Sequence, residues 1–167
     1  MTGNTGAAAE QARRLRWLAF LLFALAVAAI DQATKEAVRS AFEPGEGIQA
    51  FGGYSIVHVQ NPGVAGGGLE GNALPLAVLS IIGVILLYEF LAHRRHNAIL
   101  LLGFGLVVGG GIGNLVDRAR LGLVTDFIRN GDRAFNLADL AIFVGGLLVL
   151  AALMASLRRV QPTSKGA

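Results

Sequence analysis

The chain has no cysteine among its 167 residues, so neither a disulfide nor thiolate chemistry contributes to its fold or activity. Its three histidines, His58, His93 and His96, form no ligand cluster, and a zinc site or other metal cofactor is not expected. Charge is sparse as well: Asp, Glu, Lys and Arg make up 15% of the residues, against roughly 25% in soluble domains. What replaces them is apolar. Hydrophobic residues reach 54% and the mean hydropathy is +0.60, above the roughly 45–50% apolar content of ordinary soluble chains. The net charge of +3 and pI near 10.0 do not argue for a nucleic-acid partner, because the basic residues sit in short segments flanking apolar runs.

In chain order, residues 1–12 are small and polar and are expected to form a disordered cytoplasmic tail, followed by one membrane domain over 13–159 and a second tail over 160–167. Arg13, Arg14 and Arg16 precede an apolar run from Trp17. A cleaved leader would also begin this way, but later runs of the same kind make it the first of several spans. Helices are expected over about 17–38, 74–91, 98–116 and 137–157. Asp31 and Lys35 stand at i and i+4, the favourable order for a helical ion pair. The alternation over Tyr54 to Gln60 predicts a small sheet within about 42–70, closed by Asn61-Pro62-Gly63. Glu89 is read as a snorkelling partner of the basic stretch His93 to His96. Gly105, Gly109 and Gly113, four apart, predict close helix packing in lipid.

The fold class is therefore a mainly α membrane protein: four transmembrane helices, a small extracytoplasmic β-sheet and a hairpin-like loop before the last helix. By the positive-inside rule the arginines at 13, 14, 16, 94, 95, 158 and 159 put both termini in the cytoplasm. Helical rises of about 22 Å from Arg16 to Asp31, 26 Å from Asn97 to Asn114 and 28 Å from Asp139 to Arg158 then bring Asp31, Asn114 and Asp139 to one level near the outer edge of the bilayer.

Three acids close to hydrophobic segments, Asp117, Asp126 and Asp139, need compensation by the fold. Asn114 and Asp117 are three apart, as are Asn136 and Asp139, so each pair shares a face wherever its segment is helical. Between them, Leu121 to Arg129 reads as extended, with Asn130-Gly131 as the tip of a tight hairpin that pairs Asp126 with Phe135. Asp139 would follow about one helical turn later, near Asp126. Two carboxyls at such a rim can hold a single proton between them, and one can then activate water while the other protonates or hydrogen-bonds the carbonyl under attack. A transporter using the same acids for a cation or proton, and a scaffold of structural ion pairs, remain open on these residues alone.

The motifs Asp31-Gln32-Ala33-Thr34-Lys35, Asn61-x-Gly63, Gly110-x-x-Gly113-Asn114-x-x-Asp117-Arg118, Thr125-Asp126-Phe127 and Phe135-Asn136-x-Ala138-Asp139 together resemble bacterial lipoprotein signal peptidase, signal peptidase II, in order from about Trp17 to Leu157. The resemblance implies an aspartic endopeptidase of the bacterial cytoplasmic membrane without a cofactor. Its substrate would be a diacylglyceryl-prolipoprotein cut N-terminal to the lipidated cysteine, and the bilayer would be its other partner, with the enzyme acting as a monomer near the extracytoplasmic face. Asp126 and Asp139 would be the dyad. Asn61, Asn114, Arg118 and Asn136 would orient substrate or dyad, and Asp31, Lys35 and Asp117 would support the site. The chain departs from the pattern at Gly63-Val64-Ala65-Gly66, which lacks an aromatic, at Thr125, usually aliphatic, at Leu140, often small and polar, and in a short segment between Asp126 and Asp139.

Overall fold

A computed structural model describes residues 3–62, 78, 80–85, 87, 88 and 98–158. Helix α1 runs over Gly3–Ala41, α2 over Ala98–Leu121 and α3 over Leu137–Arg158. Segments Gly6–Ala41, Ala98–Leu121 and Leu137–Ala155 are long and apolar enough to cross a membrane. Of the expected second span, residues 80–85 are helical. The rest of it lies largely outside the described residues, as do Glu89, the stretch His93 to His96, the loop 63–72 and the tail 160–167.

Helix α1 begins well before Trp17, so residues 3–12, expected to be disordered, are helical. The reason is local. Ala7, Ala8 and Ala9 are strong helix formers, and Arg14 donates to Glu10 at 2.6 Å one turn away.

Strand β1 spans Gly47–Gln49, β2 Tyr54–Asn61, β3 Val124–Asn130 and β4 Arg133–Phe135. They form a single antiparallel sheet in the order β1-β2-β3-β4. The expected sheet and the expected hairpin are thus one body, with β2 and β3 joined side by side although α2 lies between them in sequence. Helix α2 stops where Gly122, at φ 75, bonds its N–H back to the Arg118 carbonyl at 3.1 Å. This left-handed C-terminal cap turns the chain directly into β3.

The hairpin register differs from the expected one. Asn130 pairs with Arg133 and Ile128 with Phe135, so the tip is Gly131-Asp132 and Asp126 lies beyond the end of β4. Gly131, at φ 58, takes the first loop position, for which a residue without Cβ is best suited. Asp126 pairs instead with Val59 of β2, next to a bulge in which Val57 and His58 oppose Phe127 alone.

The apolar core lies at one end of the helices. Phe20 of α1, Leu100 and Phe104 of α2 and Ala152 of α3 are buried together with Tyr88, whose ring stacks on Phe20 at 4.3 Å. Leu18, Leu22, Leu25, Phe143, Leu147 and Leu150 face outward and exposed, as they would toward lipid. Glycines set the helix spacing: a Cβ at Gly109 would come within 2.5 Å of the Ala24 carbonyl oxygen, and one at Gly110 equally close to that of Ala138.

Candidate active site

At the other end of the bundle a cluster of polar side chains is buried. Asp31, Lys35, Asn114, Asp117, Thr125, Asp126 and Asn136 are all buried there. Their common origin is helical spacing: Asp31, Lys35 and Arg39 lie at i, i+4 and i+8 on α1, facing Gly113, Asn114 and Asp117 of α2. Gly113 lets the Asp31 carboxylate press against α2, since a Cβ there would collide with it.

Lys35 is the hub of this group. Its ammonium contacts Asp31 Oδ2 at 2.9 Å and Asp117 Oδ2 at 3.3 Å, and donates to Asn114 Oδ1 at 2.8 Å. An ammonium only donates, so the Asn114 carbonyl must face it and the Asn114 amide must point the other way. That amide donates to Asp139 Oδ1 at 2.8 Å. The two outer carboxylates are spent on backbone: Asp31 Oδ1 accepts the Ala138 N–H at 2.9 Å, and Asp117 Oδ2 accepts that of Thr125 at 2.9 Å. One therefore fixes the start of α3 and the other the start of β3. The remaining Asp117 oxygen accepts from Gln32 Nε2 at 3.0 Å.

Asn136 and Asp139 do not share a helical face, because Asn136 is the N-cap of α3. Its Oδ1 accepts the Asp139 N–H at 2.9 Å, and Asp139 Oδ2 accepts the Asn136 N–H at 3.3 Å. This is a reciprocal capping box, with the carboxylate at the positive end of the helix dipole. Capping commits the Asn136 oxygen, so its amide turns outward and donates to Asp126 Oδ1 at 2.7 Å. Asn61 lies two residues past Val59 on β2, diagonal to Asp126 across the pair, and its Nδ2 donates to Asp126 Oδ2 at 2.9 Å. Asp126 and Asp139, which the hairpin register alone would not have joined, thus meet through Asn136. Arg118 lies one turn past Asn114, bonds its carbonyl at 3.3 Å and borders the same cavity as Asp139.

Both carboxyls are met by amide donors, an arrangement suited to holding carboxyl groups in a set orientation. Among the described residues no group of three or more His, Cys, Asp or Glu could hold a metal ion. Burial pushes the Asp126 carboxyl above the usual carboxylate range; the neighbouring Asp139 charge adds to this, while the bonds from Asn61 and Asn136 and the Lys35 charge oppose it.

Two cavities open on the pair from different sides. One, of about 360 Å³, runs between the helices past Val84, Val107 and Ile142 to Asn114, Arg118 and Asp139. The other, of about 480 Å³, lies beneath the β3–β4 hairpin and is bounded by Asn61, Asp126, Asp132 and Arg133. Three neighbours of the site had no role in the sequence reading: Gln32, Arg39 and Thr125. The i+8 spacing of Arg39 from Asp31 was a usable signal; Thr125 was marked by its place beside Asp126 and by standing where the pattern is usually aliphatic.

A family model described as signal peptidase (SPase) II matches residues 3–155. The lipoprotein signal peptidase of Moorella thermoacetica is 38% identical over 135 residues, covering 78% of this chain and 89% of its own. That of Azoarcus sp. is 37% identical over 148 residues, covering 83% and 84%. A bacterial membrane enzyme solved by the in meso method at 1.9 Å superposes with a TM-score of 0.72 at 26% identity, covering 81% of this chain and 92% of the solved one. With near-full-length matches to both sequence and fold, and its buried polar end built from the motifs that carry the resemblance, this membrane protein belongs to the signal peptidase II family of peptidases.

Proposed function

We propose that the chain removes signal peptides from diacylglyceryl-modified prolipoproteins as an aspartic endopeptidase, cutting N-terminal to the lipidated cysteine, with Asp126 and Asp139 as its dyad. The observation that carries this reading is the Asn136 bridge, which donates to one carboxyl from its side-chain amide and to the other from its backbone N–H. One carboxylate takes a proton from water as the water oxygen attacks the scissile carbonyl carbon. The other, protonated, donates to the carbonyl oxygen, giving a neutral tetrahedral gem-diol. Return of a proton to the cysteine nitrogen breaks the C–N bond and releases the signal peptide as an acid. The raised Asp126 carboxyl suits the acid, which leaves Asp139 as the base.

Asn61, Asn114 and Asn136 orient the dyad, and Arg118, at the cavity beside Asp139, orients substrate. Asp31, Lys35 and Asp117 support the frame. The apolar cavity between the helices suits the lipid-side part of the substrate, and the one beneath the hairpin, with a mixed polar and apolar lining, suits the peptide that follows the cysteine. Acyl burial at roughly 0.8 kcal/mol per CH₂ would retain the substrate without sequence-specific contacts. The enzyme acts as a monomer in the bacterial cytoplasmic membrane, with both termini cytoplasmic and the dyad near the extracytoplasmic face.

The test is a reconstituted assay in sealed liposomes on a diacylglyceryl lipobox peptide. Cleavage at the cysteine by wild type, and none by Asp126→Asn or Asp139→Asn protein that still accumulates in the membrane, is the expected result. Turnover retained by either variant removes that residue from the dyad. Ion flux without peptide cleavage would point to a transporter instead.

A further inference from the structure

Strand β3 delivers Asp126, yet its first residues have a neighbouring strand on one edge only. Pairing with β4 reaches no further than Ile128 opposite Phe135, while β2 accompanies β3 back to Val124. On the open edge residue 125 is held by other elements. Its N–H goes to Asp117 of α2 at 2.9 Å and its carbonyl accepts from Asn136 at 3.4 Å. Its hydroxyl, on a fully buried side chain, accepts from Arg39 Nη1 of α1 at 2.9 Å.

The guanidinium that reaches it is itself aimed. Arg39 Nε and Nη2 both donate to Glu36 Oε2, at 3.2 and 2.8 Å, one turn back on α1. The planar fork therefore has one orientation left, with Nη1 directed inward to Thr125 and, at 3.5 Å, to Asp117 Oδ1. A guanidinium can serve three acceptors in fixed directions; an ammonium on a flexible stem cannot reproduce that. Arg39 is mostly shielded, its side chain 15% exposed, and Glu36 is its exposed anchor. Among the described residues Arg39 is the side chain that meets the Thr125 hydroxyl, and Asp117 is the other member of the frame that Arg39 reaches.

We infer that Arg39 and Thr125 form a clamp between the end of α1 and the start of β3 that positions the Asp126 carboxyl, making Arg39 a positioning residue for hydrolysis. This rests on Asp126 being a member of the dyad. Thr125 and Asp126 are consecutive in an extended strand, so a tilt of residue 125 moves the carboxyl against its Asn61 and Asn136 donors. A displacement of about 1 Å at a reacting group costs on the order of 100-fold in rate, whereas substrate binding through the helix cavity does not pass through β3.

The experiment is a double-mutant cycle on purified protein in liposomes, reading kcat, KM and melting temperature with a diacylglyceryl lipobox peptide. Arg39→Leu and Thr125→Val are each expected to lower kcat about 10- to 100-fold with KM within about twofold, and the double variant to fall no further than the worse single one. Thr125→Ser, which keeps the hydroxyl, restores kcat, and Arg39→Lys does not. Additive losses in the cycle, unchanged kcat in Thr125→Val, or full activity in Arg39→Lys overturns the clamp. If Arg39→Leu fails to accumulate, the contrast between Thr125→Val and Thr125→Ser decides alone: equal kcat sinks the inference and a loss confined to Val supports it. Asp126→Asn runs alongside; if it stays active the dyad reading fails, whereas an inactive Asp126→Asn with an uncoupled cycle removes only the clamp.

Discussion

Asn136 and Asp126 are joined by a 2.7 Å hydrogen bond in which the direction of the amide is dictated by a helix cap rather than by the acid it serves. Because the Asn136 oxygen must accept from the first turn of α3, its nitrogen has no choice but to face β3. A cap thereby becomes the part that couples a strand carboxyl to a helix carboxyl.

Cap and bridge can be separated at this residue. Asn136→Ser retains an N-cap oxygen but cannot reach Asp126; its stability is expected to stay within about 1 kcal/mol of wild type while turnover falls on the order of 100-fold. Asn136→Ala loses both functions. Denaturation and peptide cleavage measured on the same preparations check this, and wild-type turnover by Asn136→Ser would show the bridge to be idle.

The raised Asp126 carboxyl has a sign that can be measured. A carboxyl held above its unfolded value binds more protons in the folded state, so its contribution to stability declines as pH rises from the unfolded pKa through the folded one. Asp126→Asn is therefore expected to melt higher than wild type at neutral pH, and the difference to shrink as pH falls toward the ordinary aspartate range. The alkaline limb of kcat should also fall once Asp126 loses its proton. A melting difference that widens on acidification would contradict both expectations.

Lys35 compensates two buried carboxylates at once. Removing it as Lys35→Met leaves Asp31 without its cation and Asp117 with only the Arg39 guanidinium at 3.5 Å, and is expected to cost about 3–5 kcal/mol, seen as lost membrane accumulation. Asp31→Asn keeps an acceptor for the Ala138 N–H and should lower melting temperature more than turnover. A selective loss of turnover in Asp31→Asn would instead give Asp31 a direct part in the chemistry.

Helix spacing makes a further contrast. A methyl at Gly110 would meet the Ala138 carbonyl oxygen at 2.5 Å, in the first turn of α3 beside Asp139, whereas among the described residues nothing lies within 4 Å of a Cβ at Gly146. Gly110→Ala is expected to cost about 1–3 kcal/mol and to reduce turnover, and Gly146→Ala to change stability by less than about 1 kcal/mol. Thermal melting of the two variants distinguishes them.

Much of this protein was legible one residue at a time. Apolar runs long enough to span a bilayer, glycines four apart, and the helical pair Asp31 and Lys35 are local patterns whose periods follow from backbone geometry, and they hold in the fold. The segments carrying Asp126 and Asp139 were identifiable for the same reason. Their relationship was not. The two-residue tip moved from Asn130-Gly131 to Gly131-Asp132, and that shift took Asp126 off Phe135 and onto Val59 of a strand that precedes α2 in sequence. Asn136 proved to be a cap rather than a helical neighbour of Asp139, and Arg39 reached Thr125 from 86 residues away. Periodicity is a property of neighbours along the chain, so sequence alone determined the apolar spans within α1, α2 and α3 and the residue types at their polar ends. Which oxygen each amide faces depends on donors and acceptors supplied by other elements, and only the tertiary structure could decide that.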